Sequence, residues 1–249
     1  MRIKLIVEYD GTNYAGWQRQ INGLSVQQAL EIAFEKASGE KTAIHGAGRT
    51  DAGVHAEAQV AHLDTHCTIP PEKICYALNM QLPPDIRVKH SELVDDDFHA
   101  RFCAKGKTYR YTIYNSTHAP AICRLTAAHV RGNLDIAAMR EAAAYVCGTH
   151  DFACFCAGGS EVKDTVREVY SLTVTHAPPF YYIDVTGSGF LYHMVRIIAG
   201  TLIEIGLGKR RPGCMPDILS GCTRAGATAP AKGLTLKTVY YSPPDKETT

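Results

Sequence analysis

At 249 residues and 27.2 kDa, with 45% hydrophobic and 20% charged residues, the chain can build one large domain or two small ones and is too apolar for intrinsic disorder. Twenty-six Lys and Arg against 25 Asp and Glu leave a formal charge of +1, which excludes a uniformly basic nucleic-acid binder but leaves room for a local basic stripe. The most apolar stretch, Met194 to Leu207, is interrupted by Arg196 and Glu204 and falls short of the roughly 18 apolar residues of a membrane span.

Ile3, Leu5, Val7 and Tyr9 recur at the period of a strand with one buried face. Acidic residues follow too early for a secretory signal, so a cytoplasmic protein is expected. Asp10 to Tyr14 breaks the strand with turn residues. Ser25 and Gln28 form a capping box, and behind them Val26, Leu30, Ala33, Phe34 and Ala37 predict a helix closed by Gly39. Ala43 to His45 and Gln59 to Leu63 read as short strands around a glycine-rich turn. Pro70 and Pro71 open a second helix to about Met80, and Ile86 to Val94 is another strand.

The second half follows a similar grammar. Thr108 to Tyr114 is aromatic and β-branched, and Asp135 to Cys147 is an alanine-rich helix ending at Gly148. Val169 to Thr175 and Tyr181 to Thr186 form a hairpin pair joined through Pro178 and Pro179. Phe190 to Ile205 reads as an apolar helix, and Leu234 to Tyr241 as a closing strand. The expectation is an α+β fold of two similar β-α-β-β-α-β halves, 1–104 and 105–249, sharing one continuous, mainly antiparallel sheet. Residues 242–249 read as a loose polar tail.

Nine cysteines without a Cys-x-x-Cys pair do not make a secreted disulfide framework. His150, Cys154 and Cys156 lie close together but lack the paired spacing of structural zinc, so buried free thiols and no metal are expected. Charge is unevenly spread. Residues 1–100 carry 9 basic and 14 acidic side chains, whereas residues 101–249 carry 17 and 11.

The most unusual stretch is Gly46 to Ala56, where three glycines surround Arg49, Asp51 and His55. Glycines allow close backbone approach to a ligand, although Asp and Gly are also ordinary turn formers. A phosphate-cradling P-loop is excluded, because no Gly-Lys-Ser/Thr follows. Tyr14, Trp17 and Arg19 share one glycine-containing loop, and Arg101, Lys105, Lys107 and Arg110 cluster ahead of and around Tyr109. Such mixtures of cation and flat ring suit RNA, with phosphate contacts that weaken as salt rises.

Gly48-Arg49-Thr50-Asp51-Ala52-Gly53-Val54-His55 resembles the signature of the TruA-type tRNA pseudouridine synthases. Further segments match in order: Glu8 to Gln20, Phe98 to Phe102, Lys107 to Tyr111, Phe190 to Arg196 and Thr228 to Leu234. The resemblance spans residues 3 to 241. It implies isomerisation of uridine to pseudouridine at positions 38, 39 and 40 of the tRNA anticodon arm, by a homodimer with a central RNA cleft and no cofactor.

The same resemblance implies roles for individual residues. Asp51 stands at the position of the catalytic aspartate, as nucleophile at C1′ or as base at the C2′ proton. The glycosidic bond breaks and uracil rejoins through C5, a task for a carboxylate at the anomeric carbon. Arg196 would keep Asp51 ionised, since a guanidinium in contact lowers an aspartate pKa by about 1 to 3 units. Tyr109 would stack on the target base, and Arg49 would fill the gap left by the flipped nucleotide or hold a phosphate. His55 is expected to support the loop. Two alternatives stay open: an RNA-binding module in which Asp51 is idle, and a sugar hydrolase pairing Asp51 with Glu57.

Overall fold

The computed structural model describes residues 1–159 and 162–244. They form two compact units, Met1–Lys105 with Thr235–Pro243, and Gly106–Leu234 with Pro244. The elements up to residue 94 are strands β1 (Arg2–Tyr9), β2 (His45–Gly46), β3 (His55–Asp64) and β4 (Ile86–Val94), with helices α1 (Val26–Ser38) and α2 (Ile74–Asn79). Next come β5 (Gly106–Asn115), β6 (Ala128–Val130), α3 (Ile136–Ala144), β7 (Gly148–Asp151), β8 (Val166–Ala177), β9 (Phe180–Gly187), α4 (Met194–Gly206) and α5 (Cys214–Leu219). The last strand is β10 (Leu234–Tyr240). Each unit is α+β with a mostly antiparallel sheet.

In the first unit β1 lies between β3 and β4, antiparallel to both. Every second residue of β1 is buried, Ile3, Leu5 and Val7 completely, so one face carries the core. Helix α2 packs on β4, and α1 packs on α2. The capping box forms at one of its two bonds: the Gln28 N–H donates to the Ser25 hydroxyl at 3.2 Å. Gly39 ends α1 in the left-handed region at φ 77°. The early strand at Ala43 shrinks to the two residues of β2, while β3 starts at His55 rather than Gln59.

In the second unit β9 lies between β5 and β8, and β7 extends the sheet beyond β8. Up to β4 the first unit follows the expected order, but β10, expected to close the second half, belongs to the first unit; the second unit adds β6 and β7, and α5 follows α4. Helix α3 ends at Ala144 instead of Cys147, because the chain must straighten into β7, which begins at Gly148 with φ 105°. Helix α4 starts at Met194, four residues later than the apolar run suggests. Its cap is His193, which adopts φ 62° and breaks the helix there despite the hydrophobic sequence before it.

All nine cysteines are free, as expected, but only Cys75 and Cys214 are buried, and Cys222 is exposed. No helix among the described residues is long and apolar enough to cross a membrane. Of the polar tail, residues 245–249 lie outside the described residues.

Candidate active site

The Asp51 loop joins β2 to β3 and is pinned along its backbone. The Ala47 N–H donates to Val60 O at 2.7 Å, and Gln59 Nε2 donates to Gly48 O at 2.9 Å. The Trp17 N–H donates to Thr50 O at 3.0 Å. The Thr50 hydroxyl meets the buried Tyr9 hydroxyl at 2.7 Å, and burial holds the Tyr9 phenol neutral by pushing its pKa upward. The Val54 N–H donates to Asp51 O at 3.1 Å, closing a turn whose tight point is Gly53 at φ 76°. Asp51 is half-buried at the tip, and Arg49 beside it is exposed.

Glycines in the 8–20 segment make this packing possible. A Cβ on Gly11 would stand 2.0 Å from Val54 O, and one on Gly16 would stand 2.6 Å from Thr50 O and 3.1 Å from Asp51 C. Gly16 also sits at φ 93°, a conformation that side chains resist. A Cβ on Gly46 would collide with the Trp17 indole, which covers it. The first segment is thus the floor on which the Asp51 loop rests.

His55 is 5% exposed; its Nδ1 accepts the Gly11 N–H at 3.1 Å and lies 3.0 Å from Asp10 Oδ1. It ties the two segments together, as its sequence position suggests. Asp10 is held below the usual carboxylate range: burial acts against this, but hydrogen bonds from the Thr12 hydroxyl and N–H, with the His55 ring, outweigh it.

Tyr14 and Trp17 correct the reading of their loop as an RNA surface. They are 5% and 2% exposed, so neither presents a free ring face. Tyr14 donates its hydroxyl to Asp85 Oδ1 at 2.6 Å, and Trp17 packs under the loop. Arg19 is exposed and ion-paired with Glu31 at 2.6 Å. Arg101 is exposed with its guanidinium over the Phe102 ring, and the Lys105 N–H donates to Tyr240 O at 2.7 Å. Glu57, the second carboxylate of the hydrolase alternative, is ion-paired with Lys237.

Within the second unit the other matching segments also converge. Tyr109, Tyr111 and Ile113 are buried on one face of β5, and the Tyr109 ring meets Phe190 edge-on at 5.3 Å. Arg196 Nε donates to Ala229 O at 2.9 Å while the Ala229 N–H donates to Arg196 O at 3.0 Å, a reciprocal clasp. A Cβ on Gly200 would stand 1.8 Å from Ala227 O, so the 227–230 segment lies directly on α4. The Tyr111 hydroxyl donates to Pro230 O at 2.9 Å. Burial raises the Tyr111 pKa against the nearby Arg196 charge.

Arg110, expected in the phosphate stripe, is paired within the second unit. It stands opposite Asp184 in the β5–β9 register and binds it bidentately, both contacts at 2.8 Å, with its guanidinium 4.8 Å from the Tyr182 ring centroid. Such a fork fixes the guanidinium against β9. Lys107 lies three residues before it on the same strand, half-buried.

A group not anticipated from sequence is His45, His62 and His99. The His62 ring lies 5.1 Å from His45 and 4.6 Å from His99, and its Nδ1 accepts the Ala100 N–H at 3.2 Å. Burial, then the charges of His99, His45 and Arg2, push the His62 pKa down to about 4, with Asp64 opposing. The folded state therefore holds the neutral ring, while unfolded His takes up a proton near pH 6.5. Stability is full above that pH and falls as pH drops toward 4, by an amount on the order of 1 kcal/mol after solvent screening. Urea unfolding at pH 7.5 and pH 4.5 checks this: His62→Gln should lose less stability between the two than the unaltered protein.

Compared with known proteins, residues 5–103 and 142–242 match the family model described as tRNA pseudouridine synthase. A tRNA pseudouridine synthase A of Ruminiclostridium cellulolyticum is 51% identical over 243 residues, covering 96% of this chain and 99% of its own. Those of Acetivibrio thermocellus and Syntrophotalea carbinolica are 49% identical over 241 residues and 50% over 246; they cover 96% and 98% of this chain and 99% and 97% of their own. A solved structure of a Cbf5-Nop10-Gar1 complex aligns with a TM-score of 0.41 at 13% identity, over 94% of this chain and 48% of that one. On the family model and these near full-length relatives, the chain belongs to the tRNA pseudouridine synthase family, isomerases that convert uridine in tRNA.

Proposed function

We propose that this enzyme forms pseudouridine at positions 38, 39 and 40 of the tRNA anticodon arm, with the Asp51 carboxylate as the group that acts on the ribose. The observation that supports it best is the pinned Asp51 loop: four hydrogen bonds to its backbone and one to the Thr50 hydroxyl hold it on both sides of a half-exposed carboxylate. A preorganised acid on a rigid loop is what attack at C1′ or removal of the C2′ proton needs. Tyr109 and Arg196 serve the same reaction in this reading, Tyr109 as the ring against the target base and Arg196 as a cation that binds the substrate. Arg49, two residues from Asp51 and exposed, is the side chain for the gap left by the flipped nucleotide or for a phosphate. The working form is a cytoplasmic homodimer, the commonest closed assembly.

Incubation with unmodified tRNA, followed by carbodiimide treatment and primer-extension mapping, tests the site choice. Stops at 38, 39 and 40 are expected; stops elsewhere in the tRNA would reject it. Tyr109 offers a second check. Stacking on a ring is worth roughly 1 to 3 kcal/mol, so Tyr109→Leu should lower kcat/KM by about tenfold or more. Tyr109→Phe, which keeps the ring, should stay within a few-fold of the unaltered enzyme.

A further inference from the structure

Beside the Asp51 loop, within the first unit, is a pocket of about 200 Å³ that the proposed chemistry at Asp51 does not use. Its walls include Gln18, His45, Arg49, His99, Arg101 and Phe102, over the backbone of Gly46 and Gly48. Phe102 is 75% exposed, an unusual position for so large an apolar ring. It is nevertheless held in place. The His99 ring lies 4.2 Å from it at 33°, and His99 Nδ1 accepts the N–H groups of Arg101 at 3.1 Å and Phe102 at 3.3 Å. His99 in turn leans on the buried His62. His99 thus holds the Phe102 backbone and lies against its ring.

The chemistry of the walls narrows the occupant. A flat ring and two guanidinium groups lining one pocket match a base with its phosphate, as single-stranded RNA is bound elsewhere. The volume is below that of ordinary small-molecule pockets and suits one planar ring. Arg49 links the pocket to Asp51 by two residues of one rigid loop.

Resting on the Asp51 reading above, we infer that this pocket takes an unpaired base adjacent to the reacting uridine, stacked on Phe102, with its phosphate on Arg49 and Arg101. The enzyme then grips the substrate at two successive nucleotides, and the second grip sets how firmly the first is presented.

A double-mutant cycle tests this. Binding of an anticodon-arm RNA is measured for the unaltered enzyme and for Phe102→Ala, with intact RNA and with each nucleotide flanking the target uridine made abasic in turn. Phe102→Ala should weaken binding of intact RNA about tenfold. At one flanking position the abasic RNA should bind the unaltered enzyme about tenfold less well, and Phe102→Ala should add no further loss there. Phe102→Leu, which keeps the apolar bulk without the aromatic face, should behave like Phe102→Ala, and Phe102→Trp should bind within about twofold of the unaltered enzyme. Unchanged binding by Phe102→Ala and Phe102→Leu, or an undiminished loss on every abasic RNA, would overturn the inference. Because binding is read without turnover, the two ideas fail separately. Full activity of an Asp51 variant would reject the Asp51 role without altering the coupling measured at Phe102.

Discussion

Asp51→Asn is expected to abolish tritium release from C5-labelled uridine in tRNA while leaving tRNA binding within about threefold. Asn has the same shape, and the loop is held by contacts of Gly48, Thr50 and Val54 rather than by the carboxylate alone, so its backbone should stay in place. What disappears is the negative charge that can attack C1′ or take the C2′ proton. Removing a group that acts directly on the reacting atoms costs about 10⁴-fold or more in other enzymes, and a loss of that order is expected here. If binding rests on other groups, as proposed above, the two measurements should separate. An Asn variant that keeps a tenth of the activity would mean that Asp51 is not the acting carboxylate. Equal loss of binding and turnover would point instead to a collapsed loop.

The second large effect is expected at a residue with no chemistry of its own. Gly16→Ala places a methyl group 2.6 Å from Thr50 O and 3.1 Å from Asp51 C, at a φ of 93°. The positive φ costs an L side chain about 1 to 2 kcal/mol, and the steric clash adds to it. The loop can escape only by moving away, and a shift near 1 Å at a reacting group costs about a hundredfold. Gly16→Ala should therefore lower kcat/KM by about that factor and reduce the melting temperature by several degrees. Gly39→Ala is the matching control: its φ is 77° but no atom lies within 4 Å of the added carbon. It should lose some stability and keep kcat. Equal activity of the two variants would show that the contact between Gly16 and the Asp51 loop does not position Asp51.

Much of this organisation was legible in the sequence. The Ser25 cap, the Gly39 stop and the bounds of β4 follow from local chemistry, which a linear reading captures. Helix α4 was misplaced by four residues because hydrophobicity says where a helix is buried, not where backbone geometry at His193 lets it begin. Tyr14 and Trp17 illustrate a different limit. Their composition is that of an RNA surface, yet both rings are buried, Trp17 against Gly46 and Tyr14 with its hydroxyl on Asp85. Arg110 has the charge for phosphate, and its partner Asp184 follows from a cross-strand register that no linear spacing shows. The histidine group lay beyond reach for a related reason. His45 and His62 face each other through the β2–β3 pairing, and His99 arrives from a separate loop, so no spacing announces them.

Strand β10 carries a consequence for how the enzyme is made. Its Thr235 and Leu236 pair in parallel with His55 and Ala56, immediately after the Asp51 turn, and the Lys237 ammonium holds Glu57. The ribosome synthesises this strand only after the whole of Gly106–Leu234. A growing chain thus leaves His55 and Ala56 without this pairing, and the acid loop without that support, until the second unit has been synthesised. The order of synthesis is therefore fixed by the connectivity: the first unit is completed only after the residues of the second have been made.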